Sequence, residues 1–232
     1  MRFTVPTIVS TMAAVLLTGC SLFPQGPDQA ERDRWSRVIE TAIEALPGVA
    51  DASHTFQYHP YGPNSYYTSR LDVRLEDGAT PAETASVVRA MGAQQLPPHY
   101  RGDSTMFKIH RMTDSFSGDW RLGRGIDVEA NAAYTWTRVS AADTGAEIHW
   151  ATHGVTATGD AGPPGGEKLS TAQATQLADR HLRYLARPGA VVDYTIVTRD
   201  GPRLAVLVGG CPASEREVAP ESEPFARQYE RC

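Results

Sequence analysis

The chain reads as an α+β protein, with helices packed on one face of a largely antiparallel sheet. Three observations predict it. Three stretches carry apolar residues at helical spacing. The segments between them alternate apolar and polar residues, as half-buried strands do. Pro-Gly pairs stop the first and last helices, and apolar content of 41% with 21% charged residues suits a globular domain.

Taken in order, the first helix starts near Asp28, which stands three residues before Glu31 at capping-box spacing. Trp35, Val38, Ile39, Ala42, Ile43 and Leu46 form one apolar stripe, and Pro47-Gly48 ends it. Strands are predicted over Ala52–His59 and Tyr66–Leu75. In the second, Leu71, Val73 and Leu75 face inward while Arg70, Asp72 and Arg74 face outward. A second helix opens at Thr80, with Pro81 in its first position and Glu83 completing a capping box. A strand follows over Thr105–Met112. The stretch Ser115–Gly125 reads as loop, with a short strand near Trp120-Leu122. Ala132–Ser140 and Ala146–Thr152 read as a hairpin. Gly154–Lys168, rich in glycine and proline, reads as a surface loop. A third helix opens on Ser170 and Gln173, and strands follow at Val191–Thr198 and Arg203–Val208.

A weak internal repeat is present. Ala45-Leu46-Pro47-Gly48 leads into strands, and Ala186-Arg187-Pro188-Gly189 does the same. The expectation is two helix-hairpin halves of split-βαβ character, 30–112 and 130–211, within one domain spanning 30–211. A hairpin with one apolar face cannot bury it alone, so a helix must pack across it.

Charge excludes some partners. The formal net charge is −5, and no basic tract exists, so nucleic-acid binding is not expected. The N-terminus gives an address. Arg2 precedes a short apolar run from Val5 to Leu17, too short and too polar to span a bilayer, which needs about 20 apolar residues. Leu17-Thr18-Gly19-Cys20 follows. This arrangement resembles the signal of bacterial lipoproteins. The alanine-, arginine- and glycine-rich composition points to an actinobacterial-type member. The resemblance covers about a tenth of the chain and concerns processing. It implies that 1–19 is a signal peptide and that the Cys20 sulfur carries a diacylglycerol. Residues 20–29 then form a tether. The localisation implied is the extracytoplasmic face of the cell membrane, reached through the lipid anchor. Two acyl chains hold stably where one does not.

With Cys20 lipidated, Cys211 and Cys232 remain, an even pair in an oxidising compartment. They are expected to form a disulfide that ties the tail, 212–232, back onto the last strand.

No catalytic motif emerges. G-x-S-x-G and C-x-x-C are absent. Gly159–Lys168 before a helix superficially resembles a phosphate loop, but it lacks G-K-[ST] and carries Glu167. No cofactor is implied. Glu147, His149 and His153 form the nearest approach to a metal set, though H-E-x-x-H is missing. Tyr58, Tyr61, Tyr66 and Tyr67 cluster around one connection with His59. Tyrosine gives rigid, amphipathic contact area, so these are candidate binding residues; ordinary strand packing is the alternative. The expected function is a lipid-anchored binding or interaction module for an envelope protein or small ligand. The rival is an envelope hydrolase or metal-dependent enzyme with a site assembled from distant residues.

Overall fold

The computed structural model describes residues 29–97, 100, 104–120, 125–143, 145–153, 156–185, 191–197, 203–208 and 227–229. Helix α1 (Gln29–Glu44) leads into the hairpin β1 (Val49–His59) and β2 (Tyr66–Leu75). Helix α2 (Pro81–Gly92) leads into β3 (Ser104–Arg111) and β4 (Asp114–Asp119). Helix α3 (Ile126–Ala142) leads into β5 (Glu147–His153) and β6 (Thr156–Gly162). Helix α4 (Thr171–Leu185) leads into β7 (Val191–Val197) and β8 (Arg203–Val208), and β9 (Arg227–Tyr229) follows. The helix-hairpin unit thus recurs four times.

All nine described strands lie in one sheet in sequence order. Within each hairpin the strands are antiparallel. Between hairpins, and from β8 to β9, they are parallel. A parallel step cannot be made by a tight turn; it needs a crossover, and a helix supplies it three times. The apolar residues of all four helices meet one face of the sheet in a single core. Ile39 and Ile43 of α1, Val88 and Met91 of α2, Ala133 and Trp136 of α3, and Ala174 and Leu177 of α4 pack there. They face Leu71, Val73, Phe107, Ile109, Phe116, Ile148 and Trp150 of the strands. This is the α+β class that the sequence predicts.

Local chemistry fixes the helix starts. Thr80 and Glu83 form the reciprocal capping box expected, and Pro81 occupies the first turn. Ser170 and Gln173 form another, with the Ser170 N–H donating to Gln173 Oε1 at 2.9 Å and the Gln173 N–H donating to Ser170 Oγ at 3.4 Å. The Asp28 expectation lies outside the described residues.

Three sequence readings need correction. Ala132–Ser140 is not a strand; it belongs to α3. Its threonines, valine and tryptophan favour strand locally. However, β4 and β5 are parallel neighbours, and the chain between them must cross over the sheet. Asp127 and Glu129 in the first turn suit a helix N-terminus. Ser115–Gly125 is not wholly loop, because β4 occupies 114–119. Gly154–Lys168 likewise contains β6. In β4 glycine makes room for a large neighbour. A Cβ on Gly118 would stand 2.8 Å from the Phe107 ring and collide with the Thr152 hydroxyl. Gly159 is the register partner of Trp150.

The β3–β4 hairpin turns on only Met112 and Thr113, and Met112 holds φ at +52°. An L-residue in this left-handed region costs on the order of 1 kcal/mol, and two-residue hairpins favour glycine there. Met112 is 60% exposed, so its side chain offsets little of that cost. Met112→Gly is expected to stabilise the fold by about 0.5–1 kcal/mol, read as a higher urea midpoint at unchanged slope. A lower midpoint would show that the methionine side chain matters to the fold.

Candidate functional site

With the core on one side, nothing among the described residues covers the other face of the sheet from β2 to β5. Strand alternation sends one set of residues there: Thr68, Arg70, Asp72 and Arg74 on β2, then Met106, Lys108 and His110 on β3. Ser115 and Ser117 continue the face on β4, and Glu147 and His149 on β5. Register sets them in rows. Asp72 lies opposite Lys108, and Lys108 opposite Ser117. Arg74, His110, Ser115 and His149 form the next row.

The face is charge-balanced and ordered by its own contacts. Arg70 grips Asp72 with Nε at 2.7 Å and Nη2 at 3.0 Å, a bidentate pair. Arg74 lies 4.0 Å from Asp51 of β1. Lys108 makes no ion pair among the described residues. Its charge bears on His110, whose pKa is held below the ordinary value, first by burial and next by Lys108.

The tyrosine cluster divides between the two faces. Tyr58 and Tyr67 are cross-strand partners on the helix side, with ring centroids 5.0 Å apart. The Arg32 guanidinium of α1 lies 5.4 Å from the Tyr67 ring centre. Tyr66 stands on the open side. Its ring is nearly parallel to His59, centroids 4.7 Å apart, and to Tyr61, centroids 5.8 Å apart. His59 Nε2 is 3.1 Å from Thr68 Oγ1, which fixes the imidazole in the stack. The described β2–β3 ladder begins only at Thr68 and Ser104, so this end of the β1–β2 hairpin runs beyond it.

An arrangement with catalytic elements also lies on the open face. Ser115 Oγ is 3.0 Å from His149 Nδ1, and His149 Nε2 is 3.9 Å from Glu147 Oε2. Nucleophile, base and acid therefore stand in sequence. What such a site also needs is a pair of N–H groups aimed at an oxyanion. Strand β4 is paired on both sides from Ser115 to Ser117. The backbone N–H groups there lie in the sheet plane, committed to neighbouring strands.

Of the metal candidates, Glu147 and His149 are brought together as stated, while the side chain of His153 lies outside the description. Among the described residues no group of three His, Cys, Asp or Glu side chains could hold a metal ion. Cys20, Cys211 and Cys232 lie outside the described residues. No described helix is long and apolar enough to cross a membrane.

No family model matches the chain, nor does any curated protein or solved structure.

The sequence reading did not single out Lys108, His110 or Ser115 as site residues. The signal available was the outward alternation of Arg70, Asp72 and Arg74 on a strand whose other face is apolar.

Beneath this face the core holds titratable groups that set its response to pH. His54, nearly fully buried, is held at a pKa of about 4 by burial. Its ring nitrogens lie 3.0 Å from Ser36 Oγ and 2.7 Å from Ser69 Oγ, partners that suit a neutral imidazole. Glu129 is only 4% exposed, and its Oε2 has no partner. Burial, reinforced by the charge of Asp119, pushes its pKa to about 7; contacts with Asp119 N–H and Thr152 oppose the rise. Thr105 in turn donates to Asp119.

The folded state therefore holds a proton on Glu129 that the unfolded chain releases above the ordinary carboxyl range. The resulting stability is fully present below about pH 4.5 and is lost as pH rises through 7. Its full span is on the order of 3 kcal/mol. Glu129→Gln is expected to raise the urea midpoint relative to the parent at pH 8 and to lose that advantage at pH 5. Equal destabilisation at both pH values would contradict the assignment.

Proposed function

We propose that this chain is a lipid-anchored binding module on the extracytoplasmic face of a bacterial cell membrane. It engages an envelope component through the open face of its sheet. The observation that carries the reading is the division of the sheet. Helices and apolar side chains take one face, and the other bears an ordered, charge-balanced and solvent-exposed set of polar and aromatic groups. A structural surface needs no such ordering. Bidentate Arg70–Asp72 and the stacked Tyr61, Tyr66 and His59 are held in place before a partner arrives, which lowers the entropic cost of binding.

The anchor supplies the address. Diacylglycerol on Cys20 would hold the domain at the membrane surface through the tether, 20–29, and a Cys211–Cys232 disulfide fits the same compartment. The rival reading, a hydrolase, is favoured by the Ser115–His149–Glu147 contacts. The sheet-bound N–H groups around Ser115 weigh against it, and covalent labelling of Ser115 by a fluorophosphonate would favour it.

The test has two parts. Cys20→Ser should abolish palmitate incorporation and move the protein from the membrane to the soluble fraction. On isolated envelopes, Arg70→Glu combined with Lys108→Glu should cut retention of the full chain at least about tenfold, a loss typical of central contacts. Arg34→Ala, on the exposed side of α1, should leave retention unchanged. Unaltered fractionation of the Cys20 variant, or equal retention of the open-face variant, contradicts the proposal.

A further inference from the structure

We propose that the aromatic end of the open face, Tyr61, Tyr66 and His59 with Thr68, Arg70 and Asp72, binds uncharged sugar units of a glycan. This rests on the open face being the binding surface and names what that surface recognises.

Charge is the first argument. From Gln57 to Ser69 the chain carries no Asp, Glu, Lys or Arg. Beyond it, Arg70 and Asp72 neutralise each other. The surface from Tyr61 to Asp72 thus offers no net charge to a polyanion and is complementary to a neutral polyhydroxyl ligand. A membrane headgroup or a nucleic acid would meet no surplus cation at the aromatic end, from Tyr61 to Thr68.

Ring geometry is the second. A pyranose presents an apolar C–H face to an aromatic ring and hydroxyls at its rim. Tyr66 is parallel to Tyr61 within 5° and to His59 within 17°. Tyr61 is 65% exposed, so a sugar can stack on it without displacing core atoms. The 3₁₀ turn Gly62–Asn64 with Pro63 holds Tyr61 over the strand. Ser65 Oγ donates to the Gly62 carbonyl at 2.6 Å and closes the turn. The ring is presented on a stiff element, as a recognition surface requires.

The polar rim is the third. The Asp72 carboxylate is one-third exposed and, while held by Arg70, keeps lone pairs free for sugar hydroxyls. The exposed Arg70 guanidinium has N–H groups to donate. Tyr66 to Asp72 spans about 20 Å of extended strand, suited to a short oligosaccharide rather than a single ring. On the neighbouring strand Lys108 stands opposite Asp72, at the far end of the site from the aromatic rings, and His110 lies beyond it.

The full chain, in a zwitterionic detergent free of sugar groups, would be titrated with neutral hexose and N-acetylhexosamine tetrasaccharides. A sulfated tetrasaccharide serves as the charged control. NMR of selectively labelled tyrosine and arginine reads the site. The expected result is saturable shifts at Tyr61, Tyr66 and Arg70 with at least one neutral tetrasaccharide and weaker binding of the sulfated one. Tyr61→Ala should weaken that affinity about tenfold or more, and Tyr61→Phe, which keeps the ring face, by less than threefold. Absence of shifts with every neutral sugar overturns the proposal, as does tighter binding of the sulfated one or full affinity in Tyr61→Ala. If envelope retention persists while sugars fail, the ligand class falls and the open-face reading stands.

Discussion

The structure depends on one constraint: each hairpin joins the next in parallel, so the chain must cross the sheet between them. Three helices make those crossings, and α1 enters on the same side. Each helix buries its apolar stripe against the strands beneath it, and the four stripes merge into one core. The opposite face then carries no helix among the described residues. Nothing in the described chain returns to cover it, and its side chains are free to be chosen for recognition rather than for packing.

Edge and joints are handled with polar groups placed where backbone would otherwise be unsatisfied. The edge strand β1 gives its His54 N–H to Glu40 of α1 at 2.7 Å and its Ala52 N–H to Glu44 at 3.4 Å. These contacts occupy donors on which another strand could pair. At the β3–β4 turn, Arg111 reaches Ser140 of α3 at 2.9 Å and the Asp77 carbonyl at 2.7 Å. Asp114 accepts the Ile148 N–H of β5 at 2.9 Å. Asp143, at the end of α3, receives fully buried His181 of α4 at 3.2 Å, and that contact, with Arg180, holds its pKa near 2. Beyond the two α1 glutamates that bind β1, the contacts of Arg111 with Ser140, Asp114 with Ile148 and Asp143 with His181 each join elements from different repeats. Removing one partner would leave a buried polar group short of a hydrogen bond, which costs more than the bond contributes. These contacts therefore fix how successive units sit more than they add stability.

Legibility followed how much of each element's code was local. Helices α1, α2 and α4 carry caps or stops and clear stripes, β2 alternates over its ten residues, and β1 alternates from Ala52 to Gln57. All were readable. Helix α3 was not, because its threonines and valines look like strand and the demand for a helix comes from the parallel pairing of β4 with β5. Strands β4 and β6 were hidden by Gly118 and Gly159. Those glycines signal a loop in sequence, yet in space they make room for Phe107 and accompany Trp150. The candidate site was partly visible. The tyrosines stand together in sequence, but only register shows that Tyr58 and Tyr67 share the helix side while Tyr66, with Tyr61 stacked on it, takes the open side. The polar rows across β2 to β5 include neighbours about 35 apart in sequence, such as Asp72 with Lys108 and Ser115 with His149, and no local pattern reveals them.

Two methionines allow a direct test of which face is used. Met106 lies in the middle of the open face and Met112 on the β3–β4 turn, 52% and 60% exposed. Hydroxyl-radical footprinting of the lipid-anchored protein, in intact envelopes and after extraction, reads both at once. If the open face is the binding surface, Met106 and Tyr61 are protected in the envelope while Met112 oxidises equally in both states. Protection of Val38 and Tyr58 on the helix side, with Met106 and Tyr61 unchanged, would contradict it.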